Sequence, residues 1–175
     1  MVCLGASVFA GLNNFQTVFA DQRGLDYADF FLTYTITVVI CRLLLAGFSG
    51  GKTPYLTIAR MQTVMFLSVI LFMFSAGNQV LYFLVAILFG IGYGASYPIL
   101  TAMAANDAEK DILPHTLQLF ALTYFIGIFG FPLIAGWVIV EMGTTPVLII
   151  VAGLAFIEAA LAWRRGRADL NNNPG

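Results

Sequence analysis

Charged residues are scarce in this sequence. Only 10% of its 175 residues are charged and 60% are hydrophobic, whereas an ordinary soluble domain has about 25% charged and about 45–50% apolar residues. A soluble fold of this length has no room for so much apolar surface in one core. The mean hydropathy of +0.90 instead points to the lipid bilayer as the solvent of this chain. The net charge of -1 gives no indication of a nucleic-acid partner.

Cysteine is also rare, and its placement argues against a disulfide framework. Cys3 and Cys41 both lie in apolar runs, where cysteine is usually a packing residue. No cysteine or histidine spacing typical of a metal site is present. The N-terminal stretch has no basic residue before its apolar part, so it does not read as a secretory signal peptide.

One glycine-rich stretch superficially resembles a phosphate-binding loop. The segment AGFSGGKT, residues 46–53, follows a predicted membrane helix and is followed directly by Pro54. A phosphate loop instead needs a strand before it and a helix that opens at its lysine. No paired carboxylates and no nucleophile with a matching base occur in the apolar segments. We therefore predict no cofactor, no metal site and no enzymatic activity.

Six apolar stretches are long enough to cross a bilayer as helices, for which about 20 residues are needed. They cover approximately residues 2–20, 27–48, 57–76, 79–104, 116–140 and 145–163. Segments rich in glycine, proline and charged residues separate them. The sequence thus predicts an all-α integral membrane bundle of six transmembrane helices over residues 1–167, followed by a polar tail at residues 168–175.

Lysine and arginine predict the orientation of the bundle. With six spans both termini lie on one side of the membrane, and the basic residues on that side are Lys52, Arg60, Lys110, Arg164, Arg165 and Arg167. The opposite side has only Arg23. Because cytoplasmic loops carry the excess of positive charge, we expect both termini in the cytoplasm and the protein in the cytoplasmic (plasma) membrane.

Polar side chains inside the predicted spans are candidates for a substrate cavity. Asn13, Asn14, Gln16 and Thr17 lie together in the first span. Asn13 and Gln16 share one helical face, Asn14 and Thr17 share an adjacent one, and facing lipid would be costly for all four. They either form a binding face for a polar substrate or make hydrogen bonds between helices.

Three tyrosines and one acid extend this set. Tyr93, Tyr97 and Tyr124 have a polar tip on an aromatic body, which suits either a cavity wall or packing at the headgroup level. Glu158 is the one acid deep in an apolar span. It is expected either to carry a transported proton or to pair with an arginine of the WRRGR segment.

Arg42 is a permanent cation inside the apolar run TVVICRLLLAG. It lies about 6 residues from the cytoplasmic end of its predicted span, or about 9 Å at 1.5 Å per residue. An arginine can extend its charged end most of that distance to the interface. The alternative is an arginine that faces the bundle interior and binds an acid or a substrate anion.

Glycines and prolines recur in the fourth and fifth spans. Small residues let helices approach closely, and proline removes a backbone hydrogen bond and favours a kink. The residues predicted to serve helix packing or hinge motion are Gly90, Gly94, Pro98, Gly127, Gly130, Pro132 and Gly136.

Three longer stretches resemble one transporter family. They are FADQRGLDYADFFLTYTITVVICRLLLAG, FGIGYGASYPILTAMAAND and YFIGIFGFPLIAGWVIVEMG. In this order and spacing they are similar to the C-terminal half of a major facilitator superfamily transporter, of the arabinose-efflux-permease-like branch. The matching positions are Arg42, Ala46, Gly92, Tyr93, Gly94, Tyr97, Pro98, Gly127, Gly130, Pro132 and Gly136.

The resemblance implies a function and a partner. It implies half of a secondary transporter that moves a small sugar- or drug-like molecule, with proton-coupled efflux as one form, and it implies that Arg42 faces the central cavity or the partner half. The second six-helix half would come from the same polypeptide, from a separate chain or from a second copy. Gly50 stands where the family has an aspartate in its cytoplasmic loop. The alternatives are a scaffold subunit that does not transport and an inactive truncated fragment.

Overall fold

The computed structural model describes residues 1–48, 50, 51 and 53–172, and every regular element in that part of the chain is helical. The helices are α1 (Val2–Asn14), α2 (Gln16–Asp21), α3 (Tyr27–Leu44), α4 (Pro54–Met73), α5 (Gln79–Asn106), α6 (Leu113–Phe125), α7 (Phe131–Met142) and α8 (Thr144–Asn172). A π-helical turn, Ile126–Gly130, joins α6 to α7.

Five helices are long and apolar enough to cross a membrane. They are α3, α4, α5, the continuous Leu113–Met142 unit and α8. The predicted count of six spans is not confirmed, because the first segment is broken at Phe15 into α1 and the short α2. The Asn13 amide donates to the carbonyl of Phe9 (3.1 Å), the kind of local bond by which asparagine competes with helix backbone.

Short polar residues and prolines set the helix boundaries. The Asp26 carboxylate accepts the backbone N–H of Ala28 (2.8 Å) at the start of α3, and the Asn78 side chain accepts that of Leu81 (3.0 Å) at the start of α5. Both are N-cap bonds that satisfy otherwise unpaired donors. Between α7 and α8, Gly143 has a φ of 87°, a conformation that is costly for any other residue.

α5 is the central helix of the bundle. It packs against α3 on one side and α4 on the other, while α4 also packs against α8 and α1 lies between α8 and the π-helical turn. The main core combines aliphatic side chains with a group of aromatic ones. Phe30, Phe72, Tyr82 and Phe89 are fully buried in it, and such rings contribute much of the buried area in a core.

Two helices have little cover. In the most apolar 18-residue stretch of each helix, only 17% of the residues of α3 and 22% of those of the Leu113–Met142 unit are buried, compared with 44–56% in α4, α5 and α8. Their apolar side chains therefore point away from the bundle, toward lipid or a further protein surface.

The basic residues near the end of α8 share one end of the bundle with the start of α4. The Arg165 guanidinium lies 5.9 Å from the ring centre of Tyr55. Lys52, which also contributed to the predicted orientation, lies outside the described residues, as do residues 173–175 of the predicted tail. α8 itself extends to Asn172, beyond the predicted limit of the last span at residue 163.

Candidate functional site

An open cleft lies between the end of α3, the second half of α5 and α6. Its volume is about 620 Å³, within the range of about 300–1,000 Å³ that is common for small-molecule sites. The lining residues are Arg42, Leu45, Ala46, Gly47, Phe48, Tyr97, Pro98, Thr101, Ala102, Ala105 and Leu117. We call this space the Arg42 cleft. Its described lining is apolar apart from one cation, one phenol and one threonine hydroxyl.

Arg42 lies closer to the end of its helix than the sequence indicated. α3 ends at Leu44, so Arg42 is in the last helical turn, where a cation interacts favourably with the helix dipole. Its side chain is exposed, and it lines the cleft together with Tyr97. The guanidinium therefore belongs to the cleft and is at the same time within reach of the interface.

The three predicted tyrosines come together beside the cleft. The hydroxyls of Tyr93 and Tyr124 are 2.5 Å apart, and the rings of Tyr97 and Tyr124 are 4.7 Å apart. Phe9 of α1 stacks on Tyr93 at 4.2 Å. Tyr93 and Tyr97 are one helical turn apart on α5, so the pair shares a face, and α6 brings Tyr124 to it.

Glu158 lies in the interior of the bundle and is fully buried. Its Oε1 accepts a hydrogen bond from Nε2 of Gln62 (2.9 Å), which comes from α4. α1 approaches the carboxylate at Gly5, where an added Cβ would lie 2.8 Å from Oε1. The predicted pairing of Glu158 with an arginine of the WRRGR segment is therefore not what the structure shows: its partner is a neutral amide.

Gln62 is a site residue that the sequence interpretation missed. It is buried in the middle of α4, in the stretch IARMQTVMF. The sequence feature that could have identified Gln62 is an amide side chain inside a long apolar helix, because such a group needs a hydrogen-bond partner within the protein. The same criterion selected the polar residues of the first segment.

The two predicted faces of the first segment differ in their exposure. Gln16 is fully buried and its Nε2 donates to the Tyr82 hydroxyl (2.5 Å). Asn14 and Thr17 are exposed, and Asn13 is half-buried. Among the described residues that line the Arg42 cleft, none is from this group.

We predict that Gln16 and Tyr82 are energetically coupled. In a double-mutant cycle of Gln16→Leu and Tyr82→Phe, we expect a coupling energy of about 0.5–1.5 kcal/mol, the usual size for a hydrogen bond between membrane helices. Unfolding of the purified protein in detergent, followed by circular dichroism, measures it. Asn14→Ala is the matched control and should leave stability unchanged. A coupling energy of zero would contradict the bond.

The glycines of the packing set differ in what they contact. A Cβ added to Gly90 would lie 2.8 Å from Cβ of Thr37, and one added to Gly94 would lie 3.3 Å from Cα of Val38, so α5 approaches α3 along this side. A Cβ on Gly127 would lie 2.5 Å from the Cys3 carbonyl oxygen.

The remaining members of the set are less enclosed. Nothing lies within 4 Å of a Cβ added to Gly130, and one added to Gly136 would be in ordinary contact with Phe15. Pro132 follows the π-helical turn at the start of α7. Pro98 lies inside the continuous helix α5 and also lines the Arg42 cleft.

The described part of the chain contains no group of three or more histidine, cysteine, aspartate and glutamate side chains placed to hold a metal ion. Cys3 and Cys41 are free thiols. The described lining of the Arg42 cleft offers one guanidinium, one phenol, one threonine hydroxyl and apolar walls, a combination common in small-molecule binding sites.

Comparison of the chain with protein-family models, with curated proteins and with solved structures finds no match. The functional interpretation therefore depends on the helices, the Arg42 cleft and the interior carboxyl group described above.

Proposed function

We propose that this chain is one half of a secondary transporter of the major facilitator type, which moves a small organic molecule across the membrane by alternating access. The observation that carries the proposal is the Arg42 cleft. It combines a cation, a tyrosine and a threonine hydroxyl with apolar walls in an otherwise apolar helical bundle. Polar and ionisable groups inside membrane proteins usually mark substrate or ion pathways.

The uncovered helices support the need for a second half. Large apolar side chains of α3 and of the Leu113–Met142 unit are exposed, including Leu32, Ile36, Val39, Leu122, Phe129 and Trp137. These two helices flank the Arg42 cleft. A second helical unit placed against them would close the cleft into a cavity, as transporters built from two repeats require.

The charge distribution supports the proposed orientation. Arg164, Arg165 and Arg167 are exposed at the end of α8, and Arg165 lies over Tyr55 at the start of α4. By the positive-inside rule this end faces the cytoplasm. We therefore propose the plasma membrane, with both chain ends on its cytoplasmic side.

One observation favours the alternative of a scaffold subunit. Gln16, which the sequence interpretation assigned to the substrate cavity, is bonded inside the bundle to Tyr82. Its amide therefore serves helix packing. If all interior polar groups served packing in this way, none would be left to bind a substrate, as expected for a scaffold.

The experiment that tests the proposal is transport by the intact native polypeptide. Its mass under denaturing conditions is measured first: about 19.0 kDa indicates a half that needs a partner chain or a second copy, whereas a larger mass indicates a longer transporter. The purified protein is then placed in liposomes, and the movement of labelled arabinose, benzoate and ethidium is measured. We expect at least one probe to move faster than in protein-free liposomes. Equal rates for all three would contradict transport and favour the scaffold.

A further inference from the structure

Glu158 is surrounded on every side by the bundle. α4 supplies Gln62, whose Nε2 donates to Oε1 (2.9 Å), and α1 supplies Gly5, whose missing side chain leaves room for the carboxyl group. A charged carboxylate this deep in an apolar bundle is costly unless it is fully paired.

Two acceptor atoms at this place lack a donor. Within the described residues, Oε2 of Glu158 and Oε1 of Gln62 are buried and have no hydrogen-bond partner. An ionised carboxylate and an amide oxygen can only accept. Each of the two oxygens therefore needs a hydrogen-bond donor. A proton bound to the Glu158 carboxyl group would be the simplest such donor.

A small cavity adjoins both acceptors. Its volume is about 20 Å³, and about 10–15 Å³ suffices for one water molecule. Gly5, Gln62, Ser96 and Glu158 are among the residues that line it. One water fits and can carry a proton to the carboxyl group, but a metal cation with a shell of oxygen ligands does not fit.

The described residues that line the cavity beside Glu158 are uncharged. The polar ones are Gln62 of α4, Ser96, Tyr93 and Tyr97 of α5, and Tyr124 of α6. The α-amino group of Met1 carries a positive charge at the start of α1, but Met1 does not line this cavity. A neutral, protonated carboxyl group fits this surrounding of amide and phenol groups better than an anion.

Tyr97 separates this cavity from the Arg42 cleft. It lines both spaces, and its ring is 4.7 Å from that of Tyr124, which is bonded to Tyr93. A ligand in the cleft therefore contacts the side chain that also closes the cavity of Glu158. The cavity beside Glu158 and the Arg42 cleft thus share one lining residue, Tyr97.

We propose that Glu158 is an interior proton-binding site, which exchanges its proton with water through the cavity that Tyr97 closes. On binding, a hydronium ion transfers one proton to a carboxylate oxygen: an O–H bond forms on Glu158, one breaks in the hydronium, and water remains. Release is the reverse. The coupling of release to a ligand in the Arg42 cleft rests on the proposed transport function, but the proton site itself does not.

Infrared difference spectroscopy of the intact protein in lipid tests the site directly. We expect the carbonyl band of a protonated carboxylic acid at neutral pH, its complete loss in Glu158→Gln, and its retention in Glu141→Gln, which removes an exposed acid at the end of α7. Absence of the band in the wild-type protein from mildly acidic to alkaline pH would overturn the proposal. So would a band that responds to sodium ions and not to pH.

A second measurement keeps the proposal testable if Glu158→Gln does not fold. Transfer into heavy water shifts the band as the carboxyl proton exchanges, and Tyr97→Ala should open the cavity and speed this shift at least tenfold. Thr101→Ala is the matched control, because Thr101 lines the cleft but not the cavity. Equal exchange in Tyr97→Ala and the wild-type protein would overturn the route past Tyr97.

The proton-site proposal and the transport proposal can be contradicted separately. A protein that shows the band but moves no probe retains the proton site and loses the transport proposal. A protein that moves a probe without the band, at any pH, is a transporter in which Glu158 binds no proton.

Discussion

Arg42→Leu is expected to lower the transport rate at least tenfold while the protein still inserts and folds. The guanidinium is the one charge in the described lining of the Arg42 cleft, and a hydrogen bond to a charged group contributes about 1.5–3 kcal/mol, so its loss lowers the rate about tenfold to a hundredfold. Leucine suits the membrane helix, and the side chain is exposed, so folding should not suffer. The rate of probe movement in liposomes measures the effect, with the amount of folded protein determined by gel filtration.

Two further variants separate the possible roles of this arginine. Arg60→Gln removes an exposed cation from α4 that does not line the cleft, and it should transport normally. Arg42→Lys keeps the charge but loses the planar fork, so partial activity is expected. Arg42 would be only an interfacial anchor if Arg42→Leu transported normally but inserted poorly.

Gly127→Ala is expected to destabilise the protein, whereas Gly130→Ala is not. A Cβ on Gly127 would lie 2.5 Å from the Cys3 carbonyl oxygen and 2.7 Å from Cβ of Ala6. α1 would have to move away from the π-helical turn, and such overpacking costs about 1–3 kcal/mol. For a chain of this size each kcal/mol lowers the melting temperature by about 2–4 °C, which circular dichroism in detergent can measure.

Gly130→Ala is a control within the same turn. Its φ is -74°, an ordinary helical value, and nothing lies within 4 Å of the added Cβ. Alanine is favoured over glycine in a helix by about 1 kcal/mol, so this variant should melt at the same temperature or higher. Similar melting temperatures for the two variants would show that α1 does not pack closely on Gly127.

The π-helical turn connects this contact to the candidate site. It begins directly after Tyr124 and Phe125 and ends before Pro132, and π turns inside helices are frequent at functional sites. The close approach at Gly127 keeps α1 against the turn, and Phe9 of α1 stacks on Tyr93. Gly127→Ala should therefore also disturb the tyrosine group, whereas Gly130→Ala should not.

Parts of the candidate site were predictable because they depend on one helix only. Tyr93 and Tyr97 are four residues apart, so any helix places them on one face, and Arg42 is conspicuous as a cation in an apolar run. The sequence also placed Gln16 and Thr17 on different faces of the first segment, but only the structure shows what each face contacts. Gln16 and Thr17 are neighbours in sequence, but one is buried against Tyr82 and the other is exposed.

The amino-acid sequence was sufficient for the all-helical class and for the apolar character of the long helices, which is compatible with a membrane bundle. These depend on local properties: hydropathy over about 20 residues, and the capping and turn residues Asp26, Asn78 and Gly143 at the helix ends. Only the tertiary structure decided which polar groups meet. Gln62 and Glu158 are 96 residues apart, and Tyr93 and Tyr124 are 31 apart. Their contact depends on how each helix is rotated and how closely it approaches its neighbours, and many distant packing contacts determine this together.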